Sequence, residues 1–459
     1  MKEGQDPRKE DILSDISLKE KIGYGIGDMG FNFYWANISA FLLIFYTDVF
    51  GISAAAAGTM MLLTKIVDAF TDPIMGAIAD RTQTRFGKFR PYLLYAGLPM
   101  AAAGVLTYTT PNLDADGRLI WAYGTYTLMM IMYTVLSIPY SALSGVITAN
   151  SQERTTLISF RFIAAFTGTI IVNYFTLDMV EWLGNGNETL GWQLTMAVYG
   201  ALAAILFAVV FFTTKERISP PIKQKTHAWN DIKDLMDNRP WLVLFSLALI
   251  IMITITMRSG ASIYYVKYYA NRPDLIKYFL TAYGIALAVG AAITPLLTKY
   301  LDKKRLMILL MSLTGVLSIV FYFIPPDSIW LMFGVHILIG LALGPKSPLA
   351  FSMYADTADY TEWKTGRRAT GMTFSAATFS QKLGGALASF LIGSVLATMG
   401  YVANEAQTDA SQLGIVLVIS IIPGIIALLA AYTMKFYTLD NVLLDRVHNE
   451  LKQRKEMKE

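Results

Sequence analysis

Polar residues along this chain do not alternate with apolar ones at the strand period. They collect in short clusters between long apolar runs. A run of about 20 apolar residues is the length of helix that crosses a bilayer. Such runs recur at roughly Gly23–Phe50, Ala55–Ala79, Pro91–Tyr108, Leu119–Ala149, Leu157–Val180, Trp192–Thr213, Trp241–Ala270, Tyr278–Leu297, Leu306–Phe323, Ile329–Met353, Gly371–Met399 and Leu413–Lys435. They predict an all-α membrane protein of twelve transmembrane helices. The longest polar interruption, about Lys215 to Pro240, follows the sixth run and contains Pro220-Pro221, so two six-helix halves are expected. The predicted organisation is a tail at 1–22, six helices over 23–213, a central loop at 214–240, six helices over 241–435 and a second tail at 436–459. An internal echo supports the division: Pro73 precedes Asp80 and a basic loop, and Pro295 precedes Asp302 and Lys303-Lys304-Arg305 at the same spacing. Two such halves are the layout of secondary transporters with a substrate site near the membrane midplane.

Composition agrees with the pattern, because a chain 54% hydrophobic and only 16% charged over 459 residues exposes more apolar surface than a water-soluble protein hides. Charge then gives the orientation. The N-terminal tail, "DRTQTRFGKFRP", Arg154, the central loop, "TKYLDKKR", "TEWKTGRR" and the C-terminal tail hold 29 of the 38 Lys and Arg residues, whereas the opposite loops hold Arg118, Lys267, Arg272 and Lys277. By the positive-inside rule both termini are expected in the cytoplasm. The net charge of +4 averages a basic face with a nearly neutral one and does not indicate nucleic-acid binding. The chain has no cysteine, hence neither a disulfide framework nor a cysteine-based metal site. Its N-terminus lacks the apolar core of a cleaved signal, so the first run is expected in the mature fold.

Gly25-Ile26-Gly27-Asp28-Met29-Gly30 matches the dinucleotide fingerprint G-x-G-x-x-G in letters alone. That motif requires a buried strand before it and a βαβ context, and here a charged segment precedes it and an apolar run follows. Close packing is the better reading, because Gly23-x-x-x-Gly27 with Gly30 makes a smooth face for a neighbouring membrane helix.

More informative are ionisable residues stranded inside the runs: Lys65, Arg161, Arg258, Lys346 and Lys382, with the acids Asp28, Asp68 and Asp72. Each costs a few kcal/mol in hydrocarbon and normally faces a cavity or a partner. Asp68 and Asp72 are one helical turn apart, with Lys65 a turn before and Thr71 alongside. Two such carboxylates either share a proton or hold a cation, with Lys65 supplying charge balance. The competing reading is a static Lys65–Asp68 bridge. His227 and His448 fall in polar segments, and His336 stands alone in the tenth run as a core histidine. No nucleophile–base set points to an enzyme, and no metal is expected beyond Na+.

"GYGIGD", "FYTDVFG", "KIVDAFTDPIMGAIADRTQTRFGKFRP", "YTVLSIPYSAL", "ADTADYTEWKTGRRATG" and "SQKLGG" resemble, in order and spacing, the glycoside–pentoside–hexuronide:cation symporters of the major facilitator superfamily. The likeness runs from about Ser17 to the last span. It implies the major facilitator fold, alternating access, no cofactor, and a sugar and a coupling cation, H+ or Na+, as partners in a bacterial cytoplasmic membrane. Carried over, it puts the cation near Asp68, Thr71, Asp72 and Thr134, and the sugar near Asn32, Tyr133, Ser137, Arg161, Thr378 and Lys382. It also makes Asp80, Arg81 and Arg85 part of a cytoplasmic gate.

Two departures from the melibiose-type members bear on specificity. The positions of Asn32 and Ser137 are carboxylates there and uncharged here, as in the glucuronide carriers, while Arg161 and Lys382 remain. With nothing obvious to neutralise those two cations in an empty pocket, an acidic sugar such as a hexuronide is expected to bridge them. A neutral pentoside or galactoside is the alternative. Lys65 stands where the sodium-coupled member has Arg, and the fourth-span acid is missing, which favours proton coupling. A lysophospholipid carrier of the same fold fits less well, because Asn32, Tyr34, Trp35, Asn37 and Tyr133 make the expected cavity polar and aromatic. A sensor or scaffold has no use for paired mid-membrane carboxylates. The sequence is silent on oligomeric state.

Overall fold

The structure is a computed structural model and describes residues 16–148, 151–217, 236–365 and 370–456. Among these residues regular structure is helical apart from one isolated bridge between Thr84 and Gly87. Ten helical segments are long and apolar enough to cross a bilayer, and an eleventh span is a bent pair, Leu18–Ala40 with Leu42–Phe50, turned by 55°. The third predicted run is two short helices, Arg90–Tyr95 and Gly97–Thr107. Every predicted run therefore carries helix, and the protein is a multi-pass helical membrane protein.

Contacts divide the chain into two compact units, Met1–Lys223 and Gln224–Glu459. The first contains α1 (Leu18–Ala40), α2 (Ala54–Arg81), α3 (Gly97–Thr107), α4 (Ala115–Ile147), α5 (Ser151–Gly184) and α6 (Glu188–Thr213). Side-chain oxygens set several of the starts: Ser17, Ser53, Asp114 and Asn187 each accept from a backbone N–H three residues on. Ser17 thereby starts α1 at Leu18, five residues before the apolar run begins.

α1 packs on α5 and α6, and α2 on α4. The glycines of "GYGIGDMG" make the α1 contacts possible. A Cβ on Gly25 would lie 2.9 Å from the backbone of Phe160 on α5, and one on Gly27 would lie 2.6 Å from the Tyr140 ring on α4. Those glycines serve helix packing, and no strand precedes them among the described residues.

The second unit contains α7 (Arg239–Tyr264), α8 (Ile276–Leu297), α9 (Lys303–Phe321), α10 (Ile329–Leu343), α11 (Lys346–Thr365), α12 (Thr370–Thr398), α13 (Asp409–Ile419), α14 (Ile421–Thr433) and α15 (Asn441–Glu456). The tenth span breaks between α10 and α11 at Gly344-Pro345, and the twelfth breaks between α13 and α14 at Ser420. Pro423, three residues past that second break, has no N–H to give the carbonyl of Ile419. The predicted C-terminal tail is more than a tail: α15 lies on α11 with Leu444, Val447 and Leu451 buried, and Trp363 donates to Glu450 at 2.6 Å.

The internal echo extends to backbone form. α1 leads into a π-helical stretch at Phe45–Phe50 and α7 into one at Tyr265–Tyr269. Their starts are 220 positions apart, close to the 222 between Pro73 and Pro295.

Candidate functional site

The carboxylates predicted to hold the cation meet on α2. Lys65 donates from Nζ to Asp68 Oδ2 at 2.9 Å, both side chains being almost fully buried. One turn further, Asp72 is half-buried, and its Oδ1 accepts from the Thr134 hydroxyl of α4 at 2.8 Å. Asp68, Asp72, Lys65 and Thr134 are thus brought together by the α2–α4 contact. The Thr71 hydroxyl lies beside them but turns back to the Asp68 main-chain carbonyl at 3.4 Å. The Lys65–Asp68 bridge therefore exists and cancels one of two buried charges, leaving Asp72 as the more accessible acid. Lys65 Nζ also lies 6.0 Å from the centre of the Trp35 ring on α1.

Sugar candidates of the first unit line the seam of α1, α4 and α5. Arg161 of α5 grips Asp28 of α1 with both ends of one edge: Nε to Oδ2 at 2.6 Å and one terminal nitrogen to Oδ1 at 3.2 Å. Its other terminal nitrogen donates to the Tyr24 hydroxyl at 3.4 Å, and the guanidinium lies 4.7 Å from the Tyr140 ring centre. The expectation that nothing neutralises Arg161 is therefore wrong. Asp28 does so with a fork-to-fork pair that joins α1 to α5, a contact the sequence does not reveal. Asn32, one turn after Asp28, is held in the same seam: its amide donates to the Asp28 carbonyl at 2.8 Å and accepts from Thr169 at 3.1 Å. Tyr133 and Ser137 of α4 are half-buried and one turn apart. The Tyr133 ring meets Phe31 edge-on at 5.3 Å and Trp35 at 6.4 Å.

In the second unit Thr378 and Lys382 are one turn apart on α12, the first exposed and the second buried. Lys346, at the start of α11, is also buried, with Nζ 4.0 Å from the sulfur of Met252. Arg258, fully buried on α7, donates to His336 Nδ1 at 3.2 Å, the Ser318 hydroxyl at 3.1 Å and the Ile419 carbonyl at 2.9 Å. His336 stacks on Phe279 at 3.7 Å, so it is a core histidine. Its Nδ1 accepts from a donor-only guanidinium, which fixes the tautomer with hydrogen on Nε2.

Of the gate candidates, Arg81 and Arg85 are exposed and the side chain of Asp80 lies outside the described residues. Arg85 stacks on the ring of Phe86 with 4.6 Å to its centre. A residue that sequence reasoning missed organises this loop. Glu216, just past α6, accepts from the backbone N–H groups of Lys88, Phe89 and Arg90 at 2.8, 2.8 and 2.9 Å and so caps the short helix Arg90–Tyr95. No local signal marks it, because its partners are more than a hundred residues away. Glu20 is used in the same way, accepting from the Lys215 N–H and twice from Arg217, each at 2.9 Å.

Paired charges held across spanning helices, next to half-buried hydroxyl and aromatic side chains, are what a secondary transporter uses to bind an ion and a polar solute. The family model for MFS/sugar transport proteins matches residues 23–441. The chain belongs to that family, and it is a symporter-type transporter rather than an enzyme. It is 38% identical over 442 residues to the inner membrane symporter YicJ of Escherichia coli (strain K12), covering 96% of each chain. With the isoprimeverose transporter of Lactiplantibacillus pentosus it shares 32% identity over 436 residues, 93% of this chain and 90% of the other. A solved D-xylose-proton symporter superposes with a TM-score of 0.66 at 18% identity, over 92% of this chain and 98% of that one, which establishes likeness of fold.

Proposed function

We propose that the protein takes up an acidic glycoside, a hexuronide or a related sugar, together with a proton, across a bacterial cytoplasmic membrane with both termini inside. Asp68, Asp72, Thr71 and Thr134 form the coupling-ion site, with Lys65 balancing the charge. Asn32, Tyr133, Ser137 and Arg161 make the sugar contacts of the first half, and Thr378 and Lys382 those of the second. Asp80, Arg81 and Arg85, steadied by Glu216, serve the cytoplasmic gate. The observation that carries the ion site is the 2.8 Å hydrogen bond from Thr134 to Asp72, one turn from the Lys65–Asp68 bridge. It leaves a half-buried carboxylate and a hydroxyl oxygen facing each other across two helices, a fit for a proton or a small hard cation. Lys65 in place of Arg and the lack of a fourth-span acid favour the proton.

The acidic-sugar reading rests on uncharged Asn32 and Ser137, on half-buried Arg161 and on buried Lys382. A neutral pentoside or galactoside is the second reading. The Asp28–Arg161 pair favours it, because it makes that part of the first half neutral at rest, as does the isoprimeverose-transporting relative. Proteoliposome uptake decides between them. A pH gradient, acid outside and without sodium, should drive accumulation of a hexuronide over its neutral methyl glycoside. Accumulation that needs sodium, or that prefers the neutral sugar, refutes the corresponding part of the proposal.

A further inference from the structure

Asp28 is the acid that the site does not yet explain. It lies on α1, a turn before Asn32, and its side chain and that of Arg161 remain 17% and 23% exposed, so the pair is open to a solute. Asp28 accepts both hydrogen bonds donated along the Nε edge of Arg161. The other end of the guanidinium points to the Tyr24 hydroxyl, and its face is covered by Tyr140. A planar guanidinium presents one such edge to one carboxylate at a time. An acidic sugar that uses this edge must therefore take the place of Asp28.

A displaced carboxylate is left beside apolar and phenolic groups. Among the described residues the titratable groups that face Asp28 are few. α5 supplies Arg161, α1 itself supplies Tyr24, α4 supplies Tyr133 and Tyr140, and the tyrosine of α6, Tyr199, packs instead on Phe33. Among the described residues none of these is a second cation, so once Arg161 turns to the sugar Asp28 faces no described counter-charge and is most cheaply neutralised by a proton.

We propose that Asp28 is the substrate-linked proton acceptor. It neutralises Arg161 in the empty protein, and on binding it gives Arg161 to the sugar carboxylate while taking up one proton from solution. The balance is simple: one anion and one proton enter the site, the proton forms one O–H bond on the Asp28 carboxylate and no other covalent bond changes, and the charge of the site is unaltered. This inference rests on the acidic-sugar reading, and it adds to the ion site at Asp68 and Asp72 a proton that arrives with the substrate. It also removes the cost of an unpaired buried arginine between turnovers.

Linkage fixes the sign. If binding takes up a proton, affinity for the acidic sugar rises as pH falls, by up to about tenfold per pH unit while Asp28 is ionised in the empty protein and protonated in the complex. Binding of a hexuronide and of its neutral methyl glycoside would be measured calorimetrically on the purified full-length protein in detergent without sodium. Buffers of different ionisation enthalpy would count protons. For the wild type we expect about one more proton taken up with the hexuronide than with its neutral methyl glycoside, and a correspondingly steeper pH dependence. With Asp28→Asn we expect that extra proton to be lost, the two sugars to share one pH slope, and hexuronide binding at high pH to be at least tenfold tighter than in the wild type. Hexuronide binding by the wild type without the extra proton overturns the inference and leaves the acidic-sugar reading standing. So does Asp28→Asn that keeps the wild-type pH slope. Binding of the neutral glycoside alone overturns both. The wild-type proton count needs no variant, so a misfolded Asp28→Asn protein does not shield the idea.

Discussion

Replacing Arg258 by methionine removes the donor of three buried acceptors, His336 Nδ1, the Ser318 hydroxyl and the Ile419 carbonyl, and Pro423 singles out the carbonyl for a test in which the other two losses are common to both backgrounds. In a continuous helix the carbonyl of Ile419 would accept from the N–H of residue 423, but Pro423 has none, and the break at Ser420 lies between them. In lipid a freed carbonyl must find another donor. It finds Arg258, 2.9 Å away and fully buried on a different helix. Arg258→Met strands that carbonyl at a cost of about 1–3 kcal/mol. The Ser318 hydroxyl loses less, because it can turn to its own helix. The same substitution relieves the cost of burying a cation, so the net change of the single variant is not diagnostic. The difference between backgrounds is: Pro423→Ala supplies the missing N–H, and a carbonyl with two lone pairs accepts it whether or not Arg258 is present. Arg258→Met should therefore cost about 1–2 kcal/mol less in the Pro423→Ala background, within the range of couplings between residues that share a partner. Equilibrium unfolding of the four proteins in mixed micelles measures this. Additivity to within about 0.5 kcal/mol would show that Arg258 is not there to serve the break.

Asp72→Asn should abolish uphill accumulation while sugar exchange persists, since the ion loses its carboxylate and the sugar contacts stay; if Asp72→Asn and Asp68→Asn both still concentrate substrate in vesicles, the ion site lies elsewhere. Gly25→Leu places side-chain atoms against the Phe160 backbone and should cost at least about 1–3 kcal/mol, read as a fall in melting temperature in detergent; an unchanged midpoint refutes the packing role. Glu153, outside the membrane spans, accepts from Lys21 at 2.8 Å, which holds its carboxyl below the usual range against a weaker desolvation effect. Its stabilising effect, no more than about 1 kcal/mol for a pair near the surface, should be present at neutral pH and lost as pH falls through its folded value, so Glu153→Gln and wild type should converge in acid; a gap that widens on acidification contradicts the pairing. A single cysteine at Asn187, which caps α6, should react with impermeant reagent from outside in intact cells, and labelling only after lysis would invert the proposed orientation.

The helices were legible because apolar length is a local property and survives any tertiary arrangement. What was not legible followed from contacts between distant residues. Asp28 was visible as a stranded acid, but nothing in "GYGIGDMG" says that it faces a residue 133 positions later, so the expectation that nothing neutralises Arg161 missed its partner. Glu216 and Glu20 stand among other charges at run boundaries and drew no expectation, yet both satisfy backbone N–H groups of other segments. The breaks in the tenth and twelfth spans were not expected: Pro345 and Pro423 lie by them, but within long apolar runs such prolines show where a helix can break and not whether it does. That Lys65, Asp68 and Asp72 share one helix face was legible, because one-turn spacing on a single helix is local as well.

Trp35 joins the two clusters of the first unit and explains how an ion and a sugar can influence each other there. Its ring lies 6.0 Å from Lys65 Nζ and 6.4 Å from the Tyr133 ring, so it stands between the charge that balances Asp68 and a residue assigned to the sugar. α4 makes the second connection, since Thr134, which donates to Asp72, and Tyr133 are consecutive residues on one helix. A change at Asp72 that shifts α4 moves both side chains together, because a helix carries neighbouring residues as a rigid unit. The ion therefore needs no long path to reach the sugar, and the coupling expected of such an arrangement is the 1–3 kcal/mol common to linked sites. Proximity alone does not establish linkage. The proton-count and Asp72→Asn measurements separate the two carboxylate systems: loss of sugar-linked protons with Asp28→Asn and of gradient coupling with Asp72→Asn would mean that α1 and α2 carry different parts of one cycle.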